Sequence, residues 1–155
     1  MTTYVAVCGP SSATDRESAW AEEVGRRLAE AGAVVVCGGL GGVMDAAARG
    51  ATSAEGLSVG LLPGNTREGA SPHLTAAIPT GMGEARNALV VRAADAVIAI
   101  GGEWGTLSEI ALAVKMGKPV VGVATWDLTQ LGRTGGPVPV TTPQEAVTRA
   151  LDAAR

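Results

Sequence analysis

The chain has 155 residues, of which 46% are hydrophobic, and it carries a formal net charge of −3. The high apolar fraction excludes a disordered chain, and the length suits a single domain over residues 1–155. The 22 glycines follow no G-X-Y repeat, which excludes collagen, and only 3% of the residues are aromatic, so the core must consist of Val, Leu, Ile and Ala.

The charge pattern and the chain start narrow the possible partners. The 12 basic residues form no run and are outnumbered by 15 acidic residues. A nucleic acid is therefore not expected as a partner, because binding a phosphate backbone needs a basic surface. No apolar stretch is long enough to span a membrane and no signal-peptide pattern is visible, so we expect no membrane contact and a cytoplasmic location. One histidine and the lack of a C-x-x-C pair argue against a metal site, and Cys8 and Cys37 are expected to be buried thiols.

Short apolar runs alternate with helical patterns along the whole chain. Strands are predicted at Tyr4–Cys8, Ala33–Cys37, Leu57–Leu62, Ala76–Ile78, Ala96–Ile100 and Val120–Val123. Helices are predicted at Thr14–Ala31, Gly42–Ala54, Gly83–Ala94 and Thr106–Met116, and from Thr142-Pro143 onward. The stretches Asn65–Leu74 and Trp126–Pro139 are expected to be irregular. The alternation predicts an α/β, Rossmann-like three-layer fold, with helices on both faces of a mostly parallel sheet.

Three glycine-containing turns follow predicted strands. They are Gly9-Pro10-Ser11-Ser12, Gly38-Gly39-Leu40-Gly41-Gly42 and Gly101-Gly102-Glu103-Trp104-Gly105. Parallel sheets bind ligands beyond the carboxyl ends of their strands, and these turns all lie at that edge. Tight turns that bind nothing also use glycine, but three such turns on one edge favour a binding site.

The turns match neither of the common nucleotide-binding motifs. Met44 takes the third glycine position of the dinucleotide pattern, and the Walker ending Gly-Lys-Ser/Thr is absent. A smaller anion site is favoured, because backbone N–H groups in a glycine turn at the start of a helix suit a phosphate group. Gly105-Thr106 is the best place for it, and the Thr106 hydroxyl adds a donor.

Two of the turns carry a family resemblance. The segment Gly101–Glu109 resembles the Pro-Gly-Gly-x-Gly-Thr-x-x-Glu motif of the LONELY GUY (LOG), or "lysine decarboxylase-like", family, and Gly38–Met44 looks like its G-G-x-x-G-x-M turn. Arg86 precedes Glu109 by 23 positions, the spacing of that family's catalytic arginine and glutamate. The chain looks closer still to a short bacterial branch that resembles the molybdenum cofactor carrier proteins, which bind a pterin phosphate without turning it over. It differs from the LOG motifs at Gly101, Glu103 and Asn87, where that family has Pro, Gly and Lys.

The resemblance implies a phosphoribohydrolase, which cleaves the N-glycosidic bond of nucleoside 5′-monophosphates. Arg86 and Glu109 would be catalytic, no cofactor would be required, and the protein would form a homo-oligomer, either a dimer or a tetramer. The ligand would be a nucleoside monophosphate, a phosphate or a pterin. The residues predicted to bind it are Gly9, Ser11, Gly38, Gly39, Gly41, Met44, Gly101, Gly102, Trp104, Gly105 and Thr106.

Several of these residues also have structural interpretations. The pair Thr106 and Glu109 has the spacing of a capping box, so Glu109 is either catalytic or a helix cap. Arg86 either grips the phosphate or the leaving base, or lies on the surface beside an acid such as Glu84. Trp104 either stacks on a base or a pterin, or packs at a subunit interface.

Other polar residues are not expected in the site. His73 is predicted to be a solvated loop residue, and Lys115 and Lys118 complement the dipole at a helix end rather than form a Schiff base with pyridoxal phosphate. Two functions are left open. The chain either binds a nucleoside monophosphate and possibly hydrolyses it, or it is a non-catalytic carrier or sensor of a phosphorylated pterin or nucleotide. Binding to DNA, as in related DNA-processing proteins, is disfavoured by the charge.

Overall fold

The computed structural model describes residues 1–129 and 135–155. Within them the strands are β1 (Tyr4–Cys8), β2 (Val34–Cys37), β3 (Ser58–Leu62), β4 (Ala76–Pro79), β5 (Ala96–Ile100), β6 (Val120–Val123) and β7 (Val138–Val140). The helices are α1 (Asp15–Glu30), α2 (Val43–Ser53), α3 (Arg86–Arg92), α4 (Trp104–Lys115) and α5 (Pro143–Ala153). A short 3₁₀ turn, Gly83–Ala85, leads into α3.

The strands form one sheet in the order β4-β3-β2-β1-β5-β6-β7, and every neighbouring pair is parallel. Strands β2 to β4 run away from β1 on one side, and β5 to β7 run away on the other. The chain therefore changes direction between β1 and β5, where Cys8 is the partner of Ala99. An open parallel sheet forms a crevice at such a switch point. The turns that follow β1 and β5 both start there.

Helices cover both faces of the sheet. Helices α1, α2 and α5 pack on the face that receives Val5 and Val7, and α3 and α4 pack on the face that receives Ala6 and Cys8. Both faces of the central strands are buried, which is why these strands read as unbroken apolar runs. The predicted Rossmann-like three-layer fold is confirmed.

Small residues let α1 and α2 approach each other closely. A Cβ atom on Gly25 would lie 2.0 Å from the carbonyl oxygen of Ala47, and one on Gly50 would lie 1.9 Å from that of Glu22. Neither position could hold even alanine without moving a helix. The scarcity of aromatic side chains is thus matched by a core of short residues and closely packed backbones.

The predicted elements needed three corrections. Strand β7 begins inside the stretch Trp126–Pro139 that was expected to be irregular and ends one residue after it. Residues 130–134 of that stretch are outside the described part. The predicted helix Gly83–Ala94 is shorter and begins as a 3₁₀ turn. Helix α4 begins at Trp104, two residues before the predicted Thr106.

Candidate functional site

The turns after β1, β2 and β5 border a cleft of about 350 Å³ at the switch point of the sheet. Its walls also include the 3₁₀ turn and the first turn of α3. The lining residues are Gly9, Ser11, Leu40, Met44, Pro63, Gly83, Glu84, Arg86, Asn87, Glu103, Gly105, Thr106 and Glu109. The carboxyl ends of the strands, where the sequence predicts ligand binding, therefore border a cleft.

The start of α4 provides a set of hydrogen-bond donors on one wall of this cleft. Glu103 is the N-cap residue, but its side chain makes no capping hydrogen bond. The first backbone N–H that bonds back along the helix is that of Leu107, which donates to the Glu103 carbonyl at 3.0 Å. Among the described residues, the N–H groups of Gly105 and Thr106 have no acceptor. Free N–H groups at a helix start favour an anion.

The Thr106 hydroxyl belongs to the same donor set. Thr106 is only 2% exposed, and its Oγ1 has no hydrogen-bond partner among the described residues. A buried hydroxyl without a partner costs free energy, so its persistence next to a cleft points to a ligand that completes it. Because Thr106 lies inside the first turn of α4 and not before it, the hypothesis that Thr106 and Glu109 form a capping box is wrong.

Glu109 lies deep in the cleft, one helical turn after Thr106, and is 8% exposed. Burial raises the pKa of its carboxyl group to about 7, although a hydrogen bond from the Cys8 thiol and the charge of Arg86 both lower it. Burial, together with the negative charge of Glu109, also raises the pKa of Cys8 well above its ordinary value. Glu109 is thus a buried acid whose protonation changes near neutral pH.

Arg86 is also buried, at 9% exposure, and the protein itself takes up much of its hydrogen-bonding capacity. Its Nη1 donates to the carbonyl oxygens of Gly38 and Leu61, the latter at 2.5 Å, and its Nε donates to Oδ1 of Asn87 at 3.0 Å. Burial lowers the pKa of Arg86, and the charge of Glu109 opposes this effect. The prediction of a surface arginine paired with an acid is wrong, and among the described residues Arg86 makes no ion pair within 4.0 Å.

The turn after β2 is packed against other protein atoms. A Cβ on Gly38 would lie 2.6 Å from both Nη1 of Arg86 and Sδ of Met44. Gly42 has a φ of 63°, and a Cβ there would lie 2.2 Å from the carbonyl oxygen of Pro10. These glycines allow the backbone to lie close to other backbone and to a buried arginine.

The cleft brings together about half of the predicted site residues. Gly9, Ser11, Met44, Arg86, Gly105, Thr106 and Glu109 line it. Gly38, Gly39, Gly41, Gly101, Gly102 and Trp104 do not line it. Several of the latter contact other parts of the protein instead, as Gly102 faces the Trp126 ring.

Sequence reasoning missed other wall residues. Leu40 lies in the middle of the turn after β2, Pro63 directly follows β3, and neither carries a chemical signal that would have marked it. Glu84 and Asn87 lie within three residues of Arg86, and Glu103 lies three residues before Thr106. Their short distance along the chain from predicted site residues was the signal that could have found them.

Trp104 lies outside the cleft, at its helix start. It is 78% exposed, and its ring packs against Trp126 with a centroid distance of 5.4 Å and an interplanar angle of 35°. The Trp126 indole donates to the Glu103 carbonyl at 3.2 Å. The two rings therefore support the turn after β5 from its outer side.

The remaining polar candidates have other surroundings. Lys118 donates to the carbonyl of Ala94 at 2.5 Å, and the carboxylate of Asp95 accepts from the backbone N–H of Tyr4 at 2.8 Å. His73 is half-buried, and it does not line the cleft. No three His, Cys, Asp or Glu side chains within residues 1–129 and 135–155 are grouped so that they could hold a metal ion. In the same part of the chain, no helix has the length and apolar character needed to cross a bilayer.

A larger cleft, of about 950 Å³, lies at the opposite edge of the sheet. It is bordered by Lys118, Pro119 and Val120 at the amino end of β6, and by Arg149 and Asp152 of α5. It contains none of the three glycine turns and no buried hydroxyl without a partner. The chemistry therefore favours the smaller cleft as the site, despite its size.

Comparison with known proteins now places this chain in a family. The model of the SLOG cluster4 family matches residues 2–147, and the chain belongs to that family. An uncharacterized protein of Archaeoglobus fulgidus is 43% identical over 116 residues, which cover 75% of this chain and 76% of the relative. The family that is shown is SLOG cluster4, so the resemblance to the LOG enzymes stays a prediction.

Two solved structures share the fold closely. The molybdenum cofactor binding protein of Rippkaea orientalis is 34% identical, with a TM-score of 0.93 and coverage of 100% of this chain and 99% of that one. The molybdenum cofactor carrier protein of Chlamydomonas reinhardtii is 28% identical, with a TM-score of 0.90 and coverage of 99% and 98%. The branch suggested by the sequence resemblance is thus the one that the structures support.

Proposed function

We propose that this SLOG cluster4 protein is a non-catalytic carrier of a small phosphorylated pterin of the molybdenum cofactor type, which it binds in the cleft between β1 and β5. The observation that carries the proposal is the donor set at the start of α4. Gly105 and Thr106 offer two backbone N–H groups without acceptors, and the buried Thr106 hydroxyl has no partner among the described residues. A phosphate group accepts from all three donors.

The hydrogen-bonding groups of the cleft match those of this ligand. A phosphorylated pterin carries an anionic group at one end and a flat ring with N–H donors at the other. The helix start supplies donors for the phosphate, while the carboxyl group of Glu84 on the same cleft supplies acceptors. Two structural relatives are a molybdenum cofactor binding protein and a molybdenum cofactor carrier protein, which supports the same ligand class here.

The arrangement of Arg86 favours binding over turnover. An arginine that grips a leaving base or a phosphate needs free N–H groups aimed at the ligand. Here Nη1 and Nε already donate to Gly38, Leu61 and Asn87. These bonds hold two strand ends and the neighbouring Asn87 in place, which is a positioning role, and among the described residues they leave Nη2 as the one guanidinium nitrogen without an acceptor.

Hydrolysis of a nucleoside monophosphate is the second candidate, and the state of Glu109 favours it. A carboxyl group with a pKa of about 7 can accept a proton from water as the water oxygen bonds to C1′ of the ribose. The C–N bond breaks as the C–O bond forms, and the proton that Glu109 accepted then passes to the departing base, which restores the carboxylate. Glu109 lines the cleft together with Arg86, so both residues of the predicted catalytic pair are present.

One experiment separates the two candidates. The purified protein is titrated with a phosphorylated pterin, and in parallel it is incubated with a panel of nucleoside monophosphates while ribose 5-phosphate is assayed. We expect saturable binding of the pterin and ribose 5-phosphate at the level of a protein-free control. Release by the wild type that Glu109→Gln abolishes would establish the hydrolase and overturn the carrier.

We further propose that the protein assembles as a homo-oligomer in the cytoplasm. Exposed apolar side chains lie near the cleft, among them Met82, Leu89 and Trp104. Burying such side chains against a second copy would remove them from water. Light scattering coupled to size-exclusion chromatography tests this, and a mass of one chain, 15.4 kDa, would contradict it.

A further inference from the structure

Some polar groups of the cleft have hydrogen-bond partners within the protein and others have none. The groups without partners indicate which donors and acceptors a ligand would carry. Within the described residues, the donors without acceptors are the N–H groups of Gly105 and Thr106 and the Thr106 hydroxyl on α4, together with Nη2 of Arg86. The acceptors without donors are carboxylates. Glu84 and Glu103 both line the cleft and are exposed, and neither side chain makes a hydrogen bond or an ion pair within the described residues.

The side chains between these two groups are already partly occupied. Asn87 accepts from Arg86 and donates to Ser108 Oγ at 3.1 Å, and Ser108 in turn donates to the carbonyl of Gly105 at 2.7 Å. Arg86 is bound to backbone carbonyls through Nη1, and its Nη2 is left without an acceptor within the described residues. A ligand therefore finds free donors at the start of α4 and at Nη2 of Arg86, and a free carboxylate at the entry to α3.

The two carboxylates differ in position. Glu103 is the N-cap of α4 and lies directly beside the proposed phosphate position, where a negative charge repels the ligand. Glu84 lies on the 3₁₀ turn Gly83–Ala85, on the wall formed by the entry to α3. Glu84 is thus the carboxylate of the cleft that does not share the start of α4 with the phosphate, and it is available to another part of the ligand.

We infer that Glu84 selects ligands whose ring carries the 2-amino-4-oxopyrimidine edge, as guanine and pterins do. That edge presents a ring N–H and an amino N–H side by side, and a carboxylate accepts both in parallel. Adenine has no ring N–H beside its amino group, and hypoxanthine and lumazine lack the 2-amino group. The inference rests on the proposed function, because it takes the phosphate to bind at Gly105 and Thr106.

The test uses two ligand pairs that differ only in the 2-amino group. One pair is GMP and IMP, and the other is a 6-hydroxymethylpterin phosphate and its 2-deamino analogue, the corresponding pteridin-4(3H)-one phosphate. Dissociation constants are measured by calorimetry on the wild type. We expect the 2-amino member of at least one pair to bind about tenfold more tightly, because the other member lacks one hydrogen bond to the charged Glu84 acceptor. The pair that shows the preference identifies the ring.

Two substitutions on different elements of the cleft serve as a matched set. Glu84→Gln should bring the affinity ratio within each pair close to one, because an amide cannot accept from both N–H groups. Glu103→Gln should leave the ratio unchanged and tighten every ligand alike by removing a charge beside the phosphate. Both side chains are exposed, so neither change should affect folding.

The outcomes are separable. Equal binding of both members in both pairs, or a ratio that survives Glu84→Gln, would overturn the inference while leaving phosphate binding at α4 intact. If none of the four ligands binds, the proposed function falls, and the inference falls with it.

Discussion

The turns after β2 and β5 have similar glycine-rich sequences but different surroundings. In the first, Gly38 lies against Arg86 and Met44, and Gly42 lies against the Pro10 carbonyl. In the second turn, a Cβ on Gly105, at the start of α4, would meet no atom within 4 Å. The hydroxyl of the next residue, Thr106, has no hydrogen-bond partner among the described residues. The first turn uses glycine to pack protein on protein. The second does so at Gly101, where a Cβ would lie 2.2 Å from Oε1 of Glu17, and leaves space only at Gly105, beside the start of α4.

The difference shows that a glycine cluster indicates space for a close contact but does not indicate whether protein atoms or a ligand make that contact. For Gly38 and Gly42 the approaching atoms belong to the chain itself, and the turn holds the crevice in shape. For Gly105 and Thr106 the neighbouring space is open, and the free donors are those that an anion needs. Substitutions in the packed turn should therefore lower stability, and substitutions at the start of α4 should lower ligand affinity.

The largest expected effect is on the packed turn. Gly42→Ala puts a methyl group 2.2 Å from a backbone oxygen at a φ of 63°, so we expect a loss of about 2–4 kcal/mol in the free energy of unfolding. Gly105→Ala is the matched control, and its stability should equal or slightly exceed that of the wild type because alanine favours a helix more than glycine does. Urea denaturation measures both, and similar losses would contradict the comparison.

Arg86 should be the next most sensitive position. Arg86→Ala leaves the buried carbonyls of Gly38 and Leu61 without a donor, which should cost about 2–3 kcal/mol of stability. Arg92→Ala removes an exposed arginine from the other end of α3 and should cost little. Thermal unfolding followed by circular dichroism compares the two. An Arg86→Ala protein as stable as Arg92→Ala would show that Arg86 acts only on the ligand.

Glu109 connects the cleft to pH. The pKa of the Glu109 carboxyl is about 7 in the folded protein and about 4.3 in an unfolded chain. At a pH between these two pKa values, Glu109 is therefore protonated in the folded state and ionised in the unfolded state. Stability should therefore fall as the pH rises from about 4.5 through 7, by an amount on the order of 2 kcal/mol. Glu109→Gln stays neutral and should lose this decline.

Urea denaturation at pH 5 and pH 8 tests the Glu109 prediction. The stability of Glu109→Gln relative to the wild type should rise between the two pH values, whereas Glu68→Gln, on an exposed loop, should follow the wild type at both. Parallel pH profiles for all three proteins would show that the Glu109 carboxyl titrates as it does in water.

The sequence was sufficient for the architecture and for the edge that carries the cleft. Unbroken apolar runs such as Ala96–Ile100 predict buried parallel strands, and the turns at their carboxyl ends predict where a crevice opens. The role of Glu109 was not accessible in this way, because a threonine three residues before a glutamate suits both a helix cap and a helix interior. Only the start of α4 at Trp104 decides between them.

Arg86 shows a second limit. Its spacing to Glu109 along the chain gives no information on which atoms its guanidinium meets, and it meets the ends of β2 and β3, which are 48 and 25 residues earlier. Likewise, nothing local marks Gly25 and Gly50 as the point where two helices cross. Contacts of this kind depend on tertiary packing, which local sequence patterns do not encode.

The smallest expected effect on stability is at Thr106, and it bears most directly on the open turn. Its hydroxyl is buried without a partner, so Thr106→Val should change the free energy of unfolding by no more than about 0.5 kcal/mol or raise it. The same change removes one donor from the proposed phosphate site and should weaken binding of a phosphorylated ligand about tenfold. Thr125→Val is the matched control, because the Thr125 hydroxyl is also buried without a partner but lies outside this cleft. Calorimetric titration of both variants distinguishes a hydroxyl kept for a ligand from one that is merely tolerated, and equal affinities would place the phosphate elsewhere.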